Sequence, residues 1–368
     1  MIDSELKDFT IIVTSDEPYS KMWHTQLIYT EYLSKSNKVI YINPPKKWQF
    51  RNIFIRNYLE KKESENLTVV QYVNRLPVFL KYFDQYNEWY NETLVSKRLS
   101  QTKADKILIW HFDSYRNSFS NHFFNTSLTV KRIYHVIDPF YRNPIDRLLC
   151  KIVDKIVITS PRNNAYYSDF SKKLINIPQC LDIELQKNLL KGDHRVKQKF
   201  TGNYFVLLGT ISDDIDFDWL LKLLTNINFK LTIIGKVTAL TKIDDFQRII
   251  SHKNVDYLGL LSPVEFYPVL NNALAGMIIY NEERRAKVCS PLKTLNYIIA
   301  GLPVITNIDC EIPELIESVI YYSQTSSECS KLIEYRLNEQ LEFNHAIVDE
   351  FLNKVSMSNA IEKIIKNI

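Results

Sequence analysis

This 368-residue sequence predicts an α/β protein built from two doubly wound parallel-sheet domains facing one cleft. Three observations carry that expectation. Short β-rich apolar runs alternate with helical stretches along the whole length, as in parallel strands buried on both faces. A polar stretch over 183–202, containing Lys-Gly-Asp-His, separates two such series. The length exceeds one typical domain and suits two of about 150–200 residues. The expected division is an N-terminal domain over 1–182, a linker over 183–202 and a C-terminal domain over 203–345. A C-terminal helix over 346–368 would cross back to the first domain.

In the first half the buried runs 10–14, 38–42, 106–110, 132–137 and 155–159 read as strands, with a helix from about 24 to 34. In the second half, 205–208, 230–234, 255–258, 276–280 and 303–306 read the same way, with a helix over 217–224. The last helix–strand pair is the most detailed. It runs Ser290-Pro291-Leu292-Lys293-Thr294-Leu295-Asn296-Tyr297-Ile298-Ile299-Ala300-Gly301-Leu302-Pro303-Val304-Ile305-Thr306. Ser290 suits an N-cap, Pro291 the first helical position, and Gly301 a left-handed C-terminal cap. Leu292, Leu295 and Ile299 should face the core, while Lys293 and Asn296 share another face. Free N–H groups at Leu292, Lys293 and Thr294, with a lysine in the first turn, make a seat for a phosphate. An ordinary solvated helix has the same periodicity, and spacing alone does not separate the two.

Composition narrows the class. Hydrophobic content of 45% and charged content of 24% are those of a globular protein. No apolar run approaches the roughly 18–20 residues needed to span a bilayer, and the opening Met1-Ile2-Asp3-Ser4-Glu5 does not read as a signal peptide. The cysteines at 150, 180, 289, 310 and 329 are scattered and odd in number, which argues against a disulfide framework or a zinc site. A cytoplasmic protein is expected, or one resting on the inner face of a membrane. All seven glycines follow residue 191, so a phosphate-cradling loop belongs to the second half. Residues 1–180 carry 26 Lys+Arg against 18 Asp+Glu. That balance suits an anionic acceptor or a peripheral membrane contact, and equally a lysine-rich composition without a partner. The bases Lys46, Lys47, Arg51, Arg56, Lys61 and Lys62, interleaved with Trp48, Phe50 and Phe54, form either an interfacial element or a basic loop. No nucleic-acid motif is present.

The segment from Ser290 to Val304 resembles the donor-binding signature of retaining GT-B glycosyltransferases of glycosyltransferase family 4, in the branch carrying Ser-Pro-Leu-Lys, Glu-Tyr and Ala-Gly-x-Pro-Val. Asn296 stands where that branch has its glutamate, and Val288 where the wider family has an earlier one. The rest of the chain is similar in order. Leu208-Gly209 looks like the turn under the diphosphate, and Asn254 to Gly259 like the strand and loop that hold the base. His24-Thr25-Gln26 looks like the branch's opening, and Tyr134-His135-Val136-Ile137-Asp138 like its acceptor-side strand end. The resemblance implies two Rossmann-like domains and transfer of a sugar from a UDP- or GDP-type donor to a glycan or lipid-linked acceptor. It also implies retention of configuration, with no cofactor and no metal, in cell-surface polysaccharide or glycoconjugate synthesis.

The implied donor set is Gly209, Thr210, Leu258, Leu260, Arg284, Arg285, Ser290, Pro291, Leu292, Lys293 and Asn296. The implied acceptor contacts are Asp16 and His24, after the first strand. Lys293 should stabilise the leaving diphosphate. His111 and His135 each end a strand, where binding groups gather in open α/β sheets, and with Asp138 are candidate catalytic groups. Asp113 is an alternative base. A histidine capping a strand end is the other reading of both rings. Asp213, Asp214 and Asp216 directly precede a helix, where acidic residues are favourable without a metal. Two rival readings remain open on the same fold: a non-catalytic binding or scaffold protein, and a nucleotide-sugar epimerase.

Overall fold

The computed structural model describes residues 6, 8–20, 24–46, 58–77, most of 86–95, 104–115, 128–137, 144–191, 203–238, 240, 242–283, 291–338 and 341–368. The chain divides into two compact units, Met1–Ile177 with Ala360–Ile368, and Pro178–Asn359.

The first unit holds an eight-stranded sheet: β1 Phe9–Thr14, β2 Lys38–Ile42, β3 Tyr58–Lys62, β4 Leu67–Tyr72, β5 Lys106–His111, β6 Thr129–Val136, β7 Lys155–Ile158 and β8 Leu174–Asn176. The order is β3-β4-β2-β1-β5-β6-β7-β8. Every pair is parallel except β3 with β4. Strand order reverses between β1 and β5, and the register there pairs Thr14 with His111. Helix α1, Thr25–Ser34, is almost wholly buried. Helix α2, Pro144–Ile152, turns Asp146, Leu149 and Cys150 inward at i, i+3 and i+4. The buried Asp146 carboxylate accepts a hydrogen bond from the Tyr134 hydroxyl of β6 at 2.5 Å. A 3-10 run, Pro161–Lys173, follows β7. Its Lys173 Nζ donates to the carbonyls of Cys150, Lys151 and Val153 at 3.1, 2.9 and 2.7 Å, satisfying the end of α2.

The second unit holds a six-stranded, wholly parallel sheet: β9 Tyr204–Leu208, β10 Lys230–Ile234, β11 Val255–Tyr257, β12 Ala275–Ile278, β13 Val304–Thr306 and β14 Ile320–Tyr322, ordered β11-β10-β9-β12-β13-β14. Here the order reverses between β9 and β12. Helices α3 Ile183–Lys191, α4 Phe217–Asn226, α5 Ile243–Ile250, α6 Pro263–Leu270, α7 Leu292–Ile299 and α8 Ser326–Leu337 pack around it. One core cluster, including Phe205, Leu207, Phe217, Leu223, Ile233 and Met277, ties α4 to β9, β10 and β12.

The doubly wound expectation for both halves is met, and strands 38–42 and 230–234 fall where the sequence places them. Elsewhere details differ. Where a polar linker is expected over 183–202, Ile183–Lys191 forms a helix that packs against α6 and α7, with Ile183, Gln186 and Leu189 at helical spacing and Gln186 buried. Residues 192–202 lie outside the described set. The tail forms two helices, α9 His345–Lys354 and α10 Met357–Ile365. Residues from Ala360 onward belong to the first unit, where Lys363 Nζ donates to the Asn176 carbonyl at 2.9 Å.

Candidate functional site

In the second unit the carboxyl ends of three adjacent strands meet through glycines. Gly209 follows β9, Gly235 follows β10 and Gly259 lies just beyond β11. The Gly209 N–H donates to Ile234 O at 2.9 Å, the Gly235 N–H to Gly259 O at 2.8 Å, and the Tyr257 hydroxyl to Gly235 O at 3.0 Å. The approach is close enough to exclude side chains. A Cβ at Gly235 would lie 1.8 Å from Gly209 O, and one at Gly209 would lie 2.7 Å from Lys293 Nζ. Gly209 also adopts φ 129, a conformation side chains disfavour.

The Lys293 ammonium therefore rests against the Gly209 turn, 4.9 Å from the centroid of the Tyr280 ring. It has no carboxylate partner among the described residues. Lys293 lies in the first turn of α7, and α7 follows β12 as Gly209 follows β9. Both flank the point where strand order reverses, the place where open α/β sheets bind ligands. Helix α7 starts after Pro291, which is the N-cap itself, so Pro291 sits one position earlier than expected. The Thr294 N–H donates to Pro291 O at 3.0 Å, and the N–H groups of Leu292 and Lys293 lie at the positive end of the helix dipole. A positive ammonium beside a helix N-terminus repels it unless an anion joins them. The arrangement is suited to holding a phosphate.

What fixes α7 is Tyr297, which sequence reasoning overlooked. Its buried hydroxyl accepts from the Leu208 N–H at 2.7 Å and lies 3.2 Å from Met277 O, so one ring rivets the helix to β9 and β12 together. Gly276 makes room, since a Cβ there would meet the Tyr297 ring at 2.2 Å. A glycine inside an otherwise apolar strand was the available signal. The helix ends as expected. Gly301 has φ 73, its N–H donates to Ile298 O, and the Leu302 N–H donates to Tyr297 O, both at 3.0 Å. Leu292 is only half-buried, whereas Leu295 and Ile299 enter the core.

Asn296 is 7% exposed, and its Oδ1 accepts from the buried Tyr267 hydroxyl at 2.8 Å. The other end of the amide is a donor, where a glutamate would have only acceptors. Thr210 is exposed beside the glycine turn. Leu258 and the exposed Leu260 flank Gly259, which has open space around it. Two of the three aspartates after Gly209 bond backbone N–H groups. Asp216 caps α4 by accepting from the Trp219 N–H at 2.9 Å, and Asp213 accepts from the Lys242 N–H at 3.1 Å. Arg284, Arg285, Ser290 and Asp138 lie outside the described residues.

In the first unit the expected reacting groups are closed in. His111 is fully buried, its Nδ1 2.9 Å from the Thr14 hydroxyl across the β1–β5 reversal. His135 is 1% exposed. Tyr29, Phe112 and Trp110 surround it at ring separations of 4.9, 4.8 and 6.3 Å. Neither of its nitrogens has a hydrogen-bond partner among the described residues, and burial pulls its pKa down to about 3. Both rings thus pack the carboxyl edge of the sheet, the second of the two arrangements the sequence allowed for them. Asp113 Oδ1 accepts from the Tyr115 N–H at 2.7 Å. Asp16 is exposed beyond β1, and the His24 carbonyl accepts from the first turn of α1.

Among solved structures the chain is similar to trehalose-6-phosphate synthase OtsA, with a TM-score of 0.74 and 11% identity over 97% of this chain and 98% of that one. It is also similar to a sucrose-phosphate synthase from Thermosynechococcus elongatus, with a TM-score of 0.71 and 10% identity over 97% and 98%. A third is a trehalose-6-phosphate structure from E. coli bound with UDP-2-fluoro glucose, with a TM-score of 0.69 and 11% identity over 97% and 98%. The chain has the GT-B fold. At 10–11% identity the likeness is one of fold. No family model and no curated protein matches the GT-B chain by sequence. No helix among the described residues is long and apolar enough to cross a membrane.

Proposed function

We propose that this protein is a retaining, metal-independent hexosyltransferase. It moves a sugar from a nucleoside-diphosphate sugar of UDP or GDP type to a glycan or lipid-linked acceptor, in the synthesis of cell-surface polysaccharide or glycoconjugate. One observation carries the reading: the Lys293 ammonium, the α7 N-terminus and the Gly209 turn converge at the strand-order reversal of the second unit. The fold is shared with a structure that holds a UDP-sugar analogue, which supports the same donor class here.

Glycosyl transfer leaves negative charge on the departing diphosphate, and groups whose attraction grows with that charge lower the barrier. Lys293 and the N–H groups of Leu292 and Lys293 are such groups. They are held in place beforehand by the Tyr297 rivet. Asn296, with Oδ1 engaged by Tyr267, donates to a hydroxyl of the bound nucleotide. Thr210, Leu258 and Leu260 line the donor beside the glycine row, and Asp16 and His24 offer polar contacts to an acceptor at the end of β1.

The test is a melting-temperature screen of the full chain with UDP, GDP, dTDP and their sugars, with and without EDTA, followed by donor-hydrolysis and transfer assays. A nucleoside diphosphate should raise Tm, and EDTA should leave turnover unchanged. Lys293→Ala removes a charge-assisted contact worth about 1.5–3 kcal/mol, so turnover should fall roughly 10- to 150-fold, more than donor affinity does. If no nucleotide shifts Tm, the reading fails. A second reading is favoured by the neutral, internally bonded Asn296: a GT-B protein that binds nucleotide without transfer. Binding with neither hydrolysis nor transfer would establish it.

A further inference from the structure

Helix α3 carries a side chain that the packing of the fold does not explain. Among the described residues of Ile183–Lys191 only Gln186 is fully buried, with Ile183 and Leu189 half-buried at helical spacing on either side of it. Its exposure is 0%, yet neither Oε1 nor Nε2 has a hydrogen-bond partner among the described residues. The start of the helix holds it in place. The Gln186 N–H donates to Asp182 O at 3.1 Å, and the Asp182 carboxylate accepts from the Leu185 N–H at 3.4 Å. An amide buried without partners destabilises the chain, and an apolar residue of similar size would not. Such a group calls for a use outside folding.

The neighbours of α3 indicate that use. The helix packs against α6 and α7, the two helices joined by the bond from the Tyr267 hydroxyl to Asn296 Oδ1. Tyr267 is fully buried and Asn296 nearly so, and Asn296 has no second partner among the described residues. Three buried polar side chains from three helices thus share one helix junction with a single hydrogen bond between them. Asn296 Nδ2 carries two N–H groups, and Gln186 Oε1 is an acceptor without a donor.

We propose that Gln186 is a positioning residue for nucleotide binding. When a nucleoside diphosphate occupies the donor site, Gln186 Oε1 accepts from one Asn296 N–H and turns the other toward a hydroxyl of the nucleotide. The proposal rests on the nucleotide reading of the donor site. It makes the amide a cost in folding that is recovered in binding.

Calorimetric titration of the full chain with UDP and with GDP, alongside thermal melts, tests it. Gln186→Met, close in volume, should melt at or above wild type without nucleotide and bind nucleotide about 3- to 10-fold more weakly, the worth of one neutral hydrogen bond. In an Asn296→Ala background the same substitution should cost no further affinity, because the two side chains act as one unit. Gln186→Leu should repeat both results, which guards against a fault peculiar to methionine. Overturning results are Met and Leu variants that bind as tightly as wild type, or a loss of affinity undiminished in the Asn296→Ala background. Variants that both melt well below wild type would also overturn it, by making Gln186 part of the fold. Wild-type protein that binds neither nucleotide overturns the donor reading and this proposal together, whereas wild-type binding with unchanged variants overturns this proposal alone.

Discussion

His135 should make the first unit acid-labile, and the size of the effect follows from its surroundings. The ring is enclosed by Tyr29, Trp110 and Phe112, has no hydrogen-bond partner among the described residues, and titrates near 3 in the folded chain against an ordinary value of 6.5. Above pH 6.5 the imidazole is neutral in both folded and unfolded chains and costs nothing. As pH falls from 6.5 toward 3, only the unfolded chain takes up the proton, so stability is lost. One proton costs about 1.4 kcal/mol per pH unit, or about 2.7 kcal/mol between pH 6.5 and 4.5. His135→Leu removes that term and leaves no partner stranded, so it should be neutral or stabilising at pH 7 and flatter toward acid. Urea unfolding at several pH values, followed by tryptophan fluorescence, gives the comparison, with Trp110 as a neighbouring reporter. Because carboxylates titrate in the same range, the wild-type-minus-variant difference is the quantity to follow. Equal acid slopes for the two proteins would refute the neutral, enclosed ring. So would loss of transfer activity in a His135→Leu protein that is fully folded, since that would return His135 to the chemistry.

Gly235→Ala forces a methyl group onto the Gly209 carbonyl, which sits 1.8 Å from the new Cβ position. Overpacking of this kind costs about 1–3 kcal/mol, and the displaced turn should abolish the nucleotide-induced rise in Tm. An alanine variant with wild-type nucleotide response would show that the glycine row does not shape the donor site. Burial raises the Asp146 carboxyl above its ordinary value of 3.8, outweighing the hydrogen bonds from Tyr134 and Tyr167 that pull it down. Its contribution to stability is therefore present below that value and lost as pH rises through the raised one. Asp146→Asn should gain stability relative to wild type as pH climbs from about 4 toward 7, and a difference that is constant with pH in thermal melts would count against it.

Much of the architecture is legible because a strand buried on both faces is a continuous apolar run. Lys38–Ile42, set between Asn37 and Asn43, and Lys230–Ile234, ended by Gly235, read to the residue. The strands that escape notice are peripheral. Tyr58–Lys62 is mostly charged and exposed, and Leu174–Asn176 and Ile320–Tyr322 are too short to show a period. Leu67–Tyr72 was missed beside them, although its burial is nearly continuous. At the candidate site, Lys293 and Gly301 follow from local rules, because a helix start and a helix end are written within a few residues. The partners of Asn296 and His135 are not local. Tyr267 reaches Asn296 across 29 positions, and the rings around His135 come from two separate segments, α1 and the end of β5. No spacing rule brings such pairs together. The burial of both histidines is therefore visible only in the folded chain.

The four sheet edges bear on how this protein meets its neighbours. Three of them, Leu174–Asn176, Val255–Tyr257 and Ile320–Tyr322, are only three residues long. A strand from another molecule laid along any of these gains on the order of two or three ladder hydrogen bonds, too few to repay its ordering. The fourth, Tyr58–Lys62, is longer but presents Glu60, Lys61 and Lys62, and Lys61 pairs with Glu63 at 2.7 Å. An incoming apolar strand there would have to strip water from charged groups. The adhesive material of both sheets lies in their central strands, already paired on both sides. Native molecules are thus poor templates for one another, and turbidity on heating should begin only where the unfolding transition begins.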